Sequence, residues 1–229
     1  MSGGASRSSG SRLGVAALAL VIALAVAAGA RGGSIEPGLE AGNEQGEITP
    51  HASVAVGLPF DGTLIYGVKL GPEGEDFFTW DPVLRRRPNR PWRRCTADGT
   101  LAIVVRVLAQ FRTTHPEAPR IGIGDLSRPQ GGKFGRRFGG LGHASHQNGL
   151  DADIYYPRSD GRERRPGKPG QIDDALAQDL VRRFVRAGAE YVFIGPRTGL
   201  RGPKRIVQTL VHHDDHMHVR FPPELGAPG

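Results

Sequence analysis

Two short segments hold most of the residues that could do chemistry. Gly142 to Ile154 reads GHASHQNGLDADI, and His212 to Phe221 reads HHDDHMHVRF. Six of the eight histidines fall in these windows: His143, His146, His212, His213, His216 and His218. The other two, His51 and His115, stand alone and are expected to be ordinary surface or core residues. Imidazole can ligate a metal through a ring nitrogen and exchanges a proton near neutral pH. Two histidine clusters, each accompanied by aspartates, therefore suggest one metal site assembled by folding.

The spacing supports that idea. His146 and Asp153 are seven residues apart, and Gly149 between them lets the chain turn sharply before a strand, so that both side chains can face one point. In His216-Met217-His218 an extended backbone puts the two imidazoles on one face, roughly 6.5–7 Å apart along the strand. One can then ligate a metal while the other stands beside the reacting water as a proton acceptor. Three ligands of the His, Asp, His kind leave a fourth tetrahedral position open, as catalytic zinc requires. Such a metal polarises a carbonyl and lowers the pKa of water, and a neighbouring imidazole can move the proton. Amide hydrolysis is the chemistry that follows. On spacing alone, a non-catalytic metal site and an exposed histidine-rich patch stay open as alternatives.

The elements around these segments define the scaffold. Thr63–Leu70 alternates as a strand does. Asp98 is the expected cap of a helix running to Thr114, where Leu101, Val104, Val105, Leu108 and Phe111 recur at spacings of three and four. Ile121–Asp125 and Asp151–Tyr156 read as short strands. Asp173 should cap a second helix through Ala187, with Leu176, Leu180, Phe184 and Ala187 as its apolar stripe and Gly188 as its stop. Tyr191–Gly195 and His216–Phe221 complete about five strands. The expected fold class is α+β: a small, mostly antiparallel sheet with the helices packed on one face.

Arg7 and Arg12 precede an apolar run from Leu13 to Ala28, and Ala28-Gly29-Ala30 supplies small residues for cleavage. Residues 1–30 are therefore expected to be a signal peptide or an N-terminal membrane anchor, placing the protein outside the cytoplasm. The apolar run of 16 residues is shorter than the roughly 20 that a spanning helix needs. Residues 31–52 read as a flexible linker, 53–221 as the catalytic domain and 222–229 as a disordered tail. The net charge of +7, carried mostly by arginine, favours an anionic partner. Its densest stretch is the loop Arg85–Arg94. The leader argues against nucleic acid as that partner. Cys95, the single cysteine, lies in an arginine-rich turn away from both histidine segments, which counts against a Cys/His nucleophile.

The two histidine segments resemble the signatures of the penicillin-insensitive murein endopeptidases, within the wider group of zinc peptidases that includes lysostaphin-type enzymes, D-Ala-D-Ala carboxypeptidases and the Hedgehog fold. IGIGDLSRPQGGKF, upstream of the first segment, extends the resemblance, which covers about residues 53–221. It implies one zinc ion held by His146, Asp153 and His218, with His216 as general base and His213 near the metal to stabilise an oxyanion. His143 becomes an outer histidine, or a ligand to a second metal. The implied substrate is a peptidoglycan cross-link, D-Ala to diaminopimelate, cut without an acyl-enzyme that β-lactams could trap. His212 and Met217 depart from the pattern, which usually has glycine and a bulkier aromatic there. Arg128, Lys133, Arg136 and Arg137 are candidates to bind substrate carboxylates, and the loop 85–94 to meet anionic wall polymers. The rival readings are a D,D-carboxypeptidase on stem peptides and a non-catalytic zinc-containing wall-binding module.

Overall fold

The computed structural model describes residues 53–135 and 143–226; the expected leader and linker, together with Arg136 and Arg137, lie outside the described residues. In order across the main sheet run six strands. These are Phe77–Thr79 (β4), Ile121–Ile123 (β6), Asp151–Tyr155 (β7), His216–Arg220 (β10), Tyr191–Ile194 (β8) and Val207–Thr209 (β9). The centre is antiparallel, while the outer pairs β4–β6 and β8–β9 are parallel. The sheet is thus mostly antiparallel, as expected, with a parallel pair at each edge that makes it mixed. Two small antiparallel pairs flank it: Val54–Leu58 (β1) with Asp61–Ile65 (β2), and Val68–Lys69 (β3) with Cys95–Thr96 (β5).

Strand alternation divides the sheet chemically. Register places Ile123, Ile154 and Met217 in one row, and Ala152, Val219, Val192 and Val207 in another. All are buried in the main core. The residues between them, Asp151, Asp153, Tyr155, His216, His218 and Arg220, take the opposite face because successive strand side chains point to opposite sides. The helices cover the apolar face. Asp98–Thr114 (α1) contributes Leu101, Val104, Val107, Leu108 and Phe111 to the core, and Asp174–Arg186 (α2) contributes Ala177, Leu180, Val181 and Phe184. Each such fully buried Val, Leu or Phe side chain contributes about 1.5–3 kcal/mol. The fold therefore separates a hydrophobic, helix-covered side from a polar side on which a site can form.

Several elements differ from the sequence expectation. The strand expected over Thr63–Leu70 breaks into β2 and β3, because Tyr66 takes φ 52° in the left-handed region and Gly67 follows it. Asp98 is the first residue inside α1 rather than its cap; the Ser53 hydroxyl accepts from the Asp98 backbone N–H at 2.8 Å and takes over the capping role. Asp173 does cap α2, accepting from Leu176 N–H at 3.0 Å. The buried stripe of α2 runs through Ala177 and Val181, leaving Leu176 and Ala187 only partly buried. Pro223–Gly226 forms a short helical turn (α3) where a tail was expected. No helix among the described residues is long and apolar enough to cross a membrane.

Candidate metal centre

The register of β10 on β7 puts His218 directly across from Asp153 and His216 across from Tyr155. His146 arrives from the loop before β7. Its backbone is held on both sides: the N–H donates to Asp151 Oδ2 at 2.8 Å, and the carbonyl accepts from Ser127 Oγ at 2.6 Å. These contacts sustain φ 64°, a left-handed conformation that is uncommon for a non-glycine residue and persists only where its surroundings over-determine it. Gly149, at φ 81°, completes the turn into β7, and a Cβ there would lie 2.7 Å from Ala97 N. The turn expected at Gly149 therefore has a steric basis.

Three atoms converge on the polar face. His146 Nε2 lies 3.1 Å from His218 Nδ1 and 3.2 Å from Asp153 Oδ1, and His218 Nδ1 lies 3.3 Å from Asp153 Oδ1. Ligands about 2.0–2.1 Å from a tetrahedral zinc are separated by roughly 3.3–3.4 Å, so the donor set fits that metal. Asp153 Oδ1 is buried without a hydrogen-bond partner, which leaves its lone pairs for a cation. A looser triple, His143, His146 and Asp153, also offers ligand atoms within 4.8 Å of one another.

The outer nitrogen of each imidazole faces an oxygen. His146 Nδ1 donates to the Leu126 carbonyl at 2.6 Å, which leaves Nε2 bare toward the centre. His218 Nε2 lies 3.0 Å from Asp151 Oδ1, which leaves Nδ1 facing inward. Such partners fix tautomer and ring orientation at metal sites. Asp151 is completely buried and also accepts from Arg220 Nε at 2.8 Å. Burial disfavours its charge, but His218, His146 and Arg220 outweigh that and hold its carboxyl far below the usual range. Burial likewise opposes a charge on His218, yet Asp151 and Asp153 push its pKa up to about 9.

Two further imidazoles flank the triangle, each on its own carboxylate. His216 Nδ1 bonds Asp215 Oδ1 at 2.7 Å, Asp215 Oδ2 accepts from Arg165 Nη1 at 2.5 Å, and His216 Nε2 faces Asp153 Oδ1 at 3.7 Å. Burial works against protonation of His216, but Asp153 and Asp215 raise its pKa above the ordinary value. On the other side, His143 Nε2 lies 2.6 Å from Asp125 Oδ2 and 3.9 Å from Asp153 Oδ2. Asp125 is buried against the equally buried Arg93 and accepts from Asn89 Nδ2 at 3.1 Å.

His213 also lines the cleft, its ring centroid 4.9 Å from that of His216. Burial, then the neighbouring His216, pushes its pKa down to about 4. Its Nδ1 donates to the Val211 carbonyl at 2.7 Å, so in the neutral ring Nε2 is an acceptor. Stabilising an oxyanion from that nitrogen would require a proton that this environment disfavours.

Arg128 donates from Nη1 to the Lys133 carbonyl at 3.0 Å, and the cleft lining includes neither Arg128 nor Lys133. His115 stands apart, 3.0 Å from Asp179. Cys95 is buried, and burial pushes its thiol up to about 11, leaving little thiolate. Sequence reasoning missed Asp151, Asp215, Asp125 and Arg165. A signal existed for two of them: Asp151 shares the strand face of Asp153, and Asp215 immediately precedes His216. Asp125 and Arg165 become visible only through long-range contacts.

The family described as "Penicillin-insensitive murein endopeptidase" matches residues 55–194, more than half of the 229 residues. That match ends before the second histidine segment, which β10 joins to it by pairing with β7. Curated proteins of the same name are similar. One from Pectobacterium atrosepticum is 30% identical over 147 residues, covering 53% of this chain and 50% of the relative. One from Yersinia enterocolitica is 32% identical over 125 residues, covering 43% and 44%. One from Haemophilus influenzae is 25% identical over 205 residues, covering 78% and 65%. The chain thus spans about half the length of the first two relatives and just under two thirds of the third. With more than half of its length matched, the chain belongs to the penicillin-insensitive murein endopeptidase family.

Proposed function

We propose that the chain is a zinc-dependent murein D,D-endopeptidase that hydrolyses the D-Ala to diaminopimelate cross-links of peptidoglycan, acting outside the cytoplasm. The observation that carries this is the triangle of His146 Nε2, His218 Nδ1 and Asp153 Oδ1, with sides of 3.1–3.3 Å, beside an imidazole poised on Asp215. His146, Asp153 and His218 hold the metal in this reading. The tighter triangle is preferred to the one containing His143, because His143 Nε2 is already engaged 2.6 Å from Asp125. When bound, zinc supplies a Lewis acid that polarises a carbonyl and lowers the pKa of water.

The chain's own residues do the rest. His216 takes a proton at Nε2 and later returns it to the leaving amine. Asp215 keeps the His216 ring in the tautomer whose Nε2 is bare, and Arg165 fixes Asp215. His213, neutral and bare at Nε2, fits a second proton acceptor better than an oxyanion donor. Asp153, His218, His216 and His213 open onto one cleft of about 830 Å³, large enough for a short peptide.

The test is incubation of the purified protein with defined muropeptides, with and without chelator, and identification of the products by mass. Cross-linked dimers should fall to monomers, chelator should stop the reaction and zinc should restore it. Loss of terminal D-Ala from monomeric stems alone would favour a D,D-carboxypeptidase. Zinc binding with no change in either substrate would favour a wall-binding module.

A further inference from the structure

The loop Arg85–Arg94 contains six arginines, and four of them are committed to the fold. Arg87 pairs with Glu163. Arg90 Nε donates to Asp81 Oδ2 at 2.5 Å. Arg93 is buried on Asp125, and Arg94 donates to the Leu70 carbonyl. Arg85 and Arg86 remain exposed, and of these two only Arg85 lines the cleft. The other cleft arginines are already neutralised, Arg165 by Asp215 and Arg220 by Asp151. Among the described residues, the Arg85 side chain makes no hydrogen bond or ion pair.

The backbone beneath Arg85 is fixed rather than loose. Asp81 is fully buried, and its Oδ1 accepts from Val83 N–H at 2.9 Å and Leu84 N–H at 2.8 Å. Its carbonyl accepts from Arg85 N–H and its own N–H donates to the Arg86 carbonyl, both at 2.9 Å. The turn so closed holds Arg85 at φ 53°. Glycine would adopt that conformation at lower cost, and strained non-glycine positions of this kind cluster at ligand clamps. An uncompensated guanidinium on a rigid, strained turn that lines the cleft suits recognition of a planar anion.

Resting on the endopeptidase reading above, we infer that Arg85 is a specificity-determining residue that binds the free carboxylate next to the scissile amide. In a D-Ala to diaminopimelate cross-link, the carbon bearing the scissile nitrogen also carries such a carboxylate. A substrate seated in the cleft covers the pair, and a charge-assisted hydrogen bond of this kind corresponds to on the order of 10–100-fold in affinity.

The experiment measures binding, which does not depend on turnover. Zinc-loaded wild type and Arg85→Gln are titrated with an acyl-D-alanyl-diaminopimelate peptide whose scissile amide is replaced by an uncleavable ketomethylene group and whose adjacent carboxylate is either free or amidated. Wild type should bind the acid at least tenfold tighter than the amide, Arg85→Gln should bind the two equally, and Arg85→Lys should retain part of the preference. Thermal unfolding checks that the variants fold, with Arg85→Gly, which relieves the strained φ, as a second charge-free variant. Equal binding of both peptides by wild type, or a preference that survives in Arg85→Gln and Arg85→Gly, overturns the inference. A preference that depends on Arg85 without any hydrolysis of cross-linked dimers would sustain it while the endopeptidase reading fails.

Discussion

His218 and Asp153 face each other across the β10–β7 pair, and their Nδ1 and Oδ1 atoms lie 3.3 Å apart. Two of the three donors are therefore set by strand register alone, since a slip of one residue would carry His218 to the apolar face in place of Met217. His218→Ala and Asp153→Ala should each lose zinc to a chelator concentration that leaves the wild type loaded. Both should unfold at the temperature of the chelated wild type, because a ligand stabilises only the state that binds it. Full zinc occupancy in either variant would remove that residue from the ligand set.

Asp151 touches no reacting group, yet it bonds the His146 backbone, lies beside His218 Nε2 and anchors Arg220. Asp151→Asn keeps the size but removes the charge and turns an amide toward donors. Zinc affinity should fall about 10–100-fold, as for outer partners of other metal ligands. Competition against a chromophoric chelator measures this; an affinity within a factor of two of wild type would reduce Asp151 to a packing role.

His216 and Asp215 should separate chemistry from metal binding. His216→Ala is expected to keep one zinc per chain and to lose about 10²–10⁴ in kcat, the usual contribution of a positioned acid–base group. Asp215→Asn should lose less, since it disturbs only the tautomer and basicity of His216. His213→Ala should lose less than His216→Ala, with the same zinc content. If His213→Ala proves the more damaging of the two histidine variants on a defined muropeptide, their roles exchange.

Local patterns carried the sequence reading where it succeeded. His216-Met217-His218 reads correctly as a strand because alternation needs only neighbours, and Asp173 reads correctly as a cap because the N–H that donates to it lies three residues away. β3 and β5 have two residues each, too few for any period to show, and β9 follows a Gly/Pro loop. The parallel outer pairs depend on crossovers that carry no local signal. The same limit hid the outer shell: Asp125 meets Arg93 across 32 positions and His143 across 18. Basic composition suggested a polyanion-binding loop at residues 85–94. Within that loop the structure uses Arg93 and Arg94 as buried framework and leaves Arg85 on the cleft, a division that composition does not show.

Glu163 ties together the two loops that supply arginines to the cleft. Its carboxylate accepts from Arg120 Nε and Nη2, both at 2.7 Å, and pairs with Arg87, two residues from Arg85 and on a different loop. The Arg120 hydrogen bonds outweigh partial burial and, with Arg87, lower the Glu163 pKa from 4.5 to about 2. A carboxylate depressed in the folded state adds stability that is fully present above its unfolded value, and this is lost as pH falls through the folded one. The contribution should therefore be constant above about pH 5 and disappear between pH 4.5 and about 2. Because the group is partly exposed, solvent and salt reduce its size. Glu163→Gln lacks the titrating proton, so the difference in unfolding midpoint between wild type and variant should be flat at neutral pH and shrink only across that acid window. Subtraction cancels the carboxylates common to both proteins, including those around the metal. A difference that stays constant down to pH 2, or that begins to close above pH 6, would mean that Glu163 does not hold the two loops by charge.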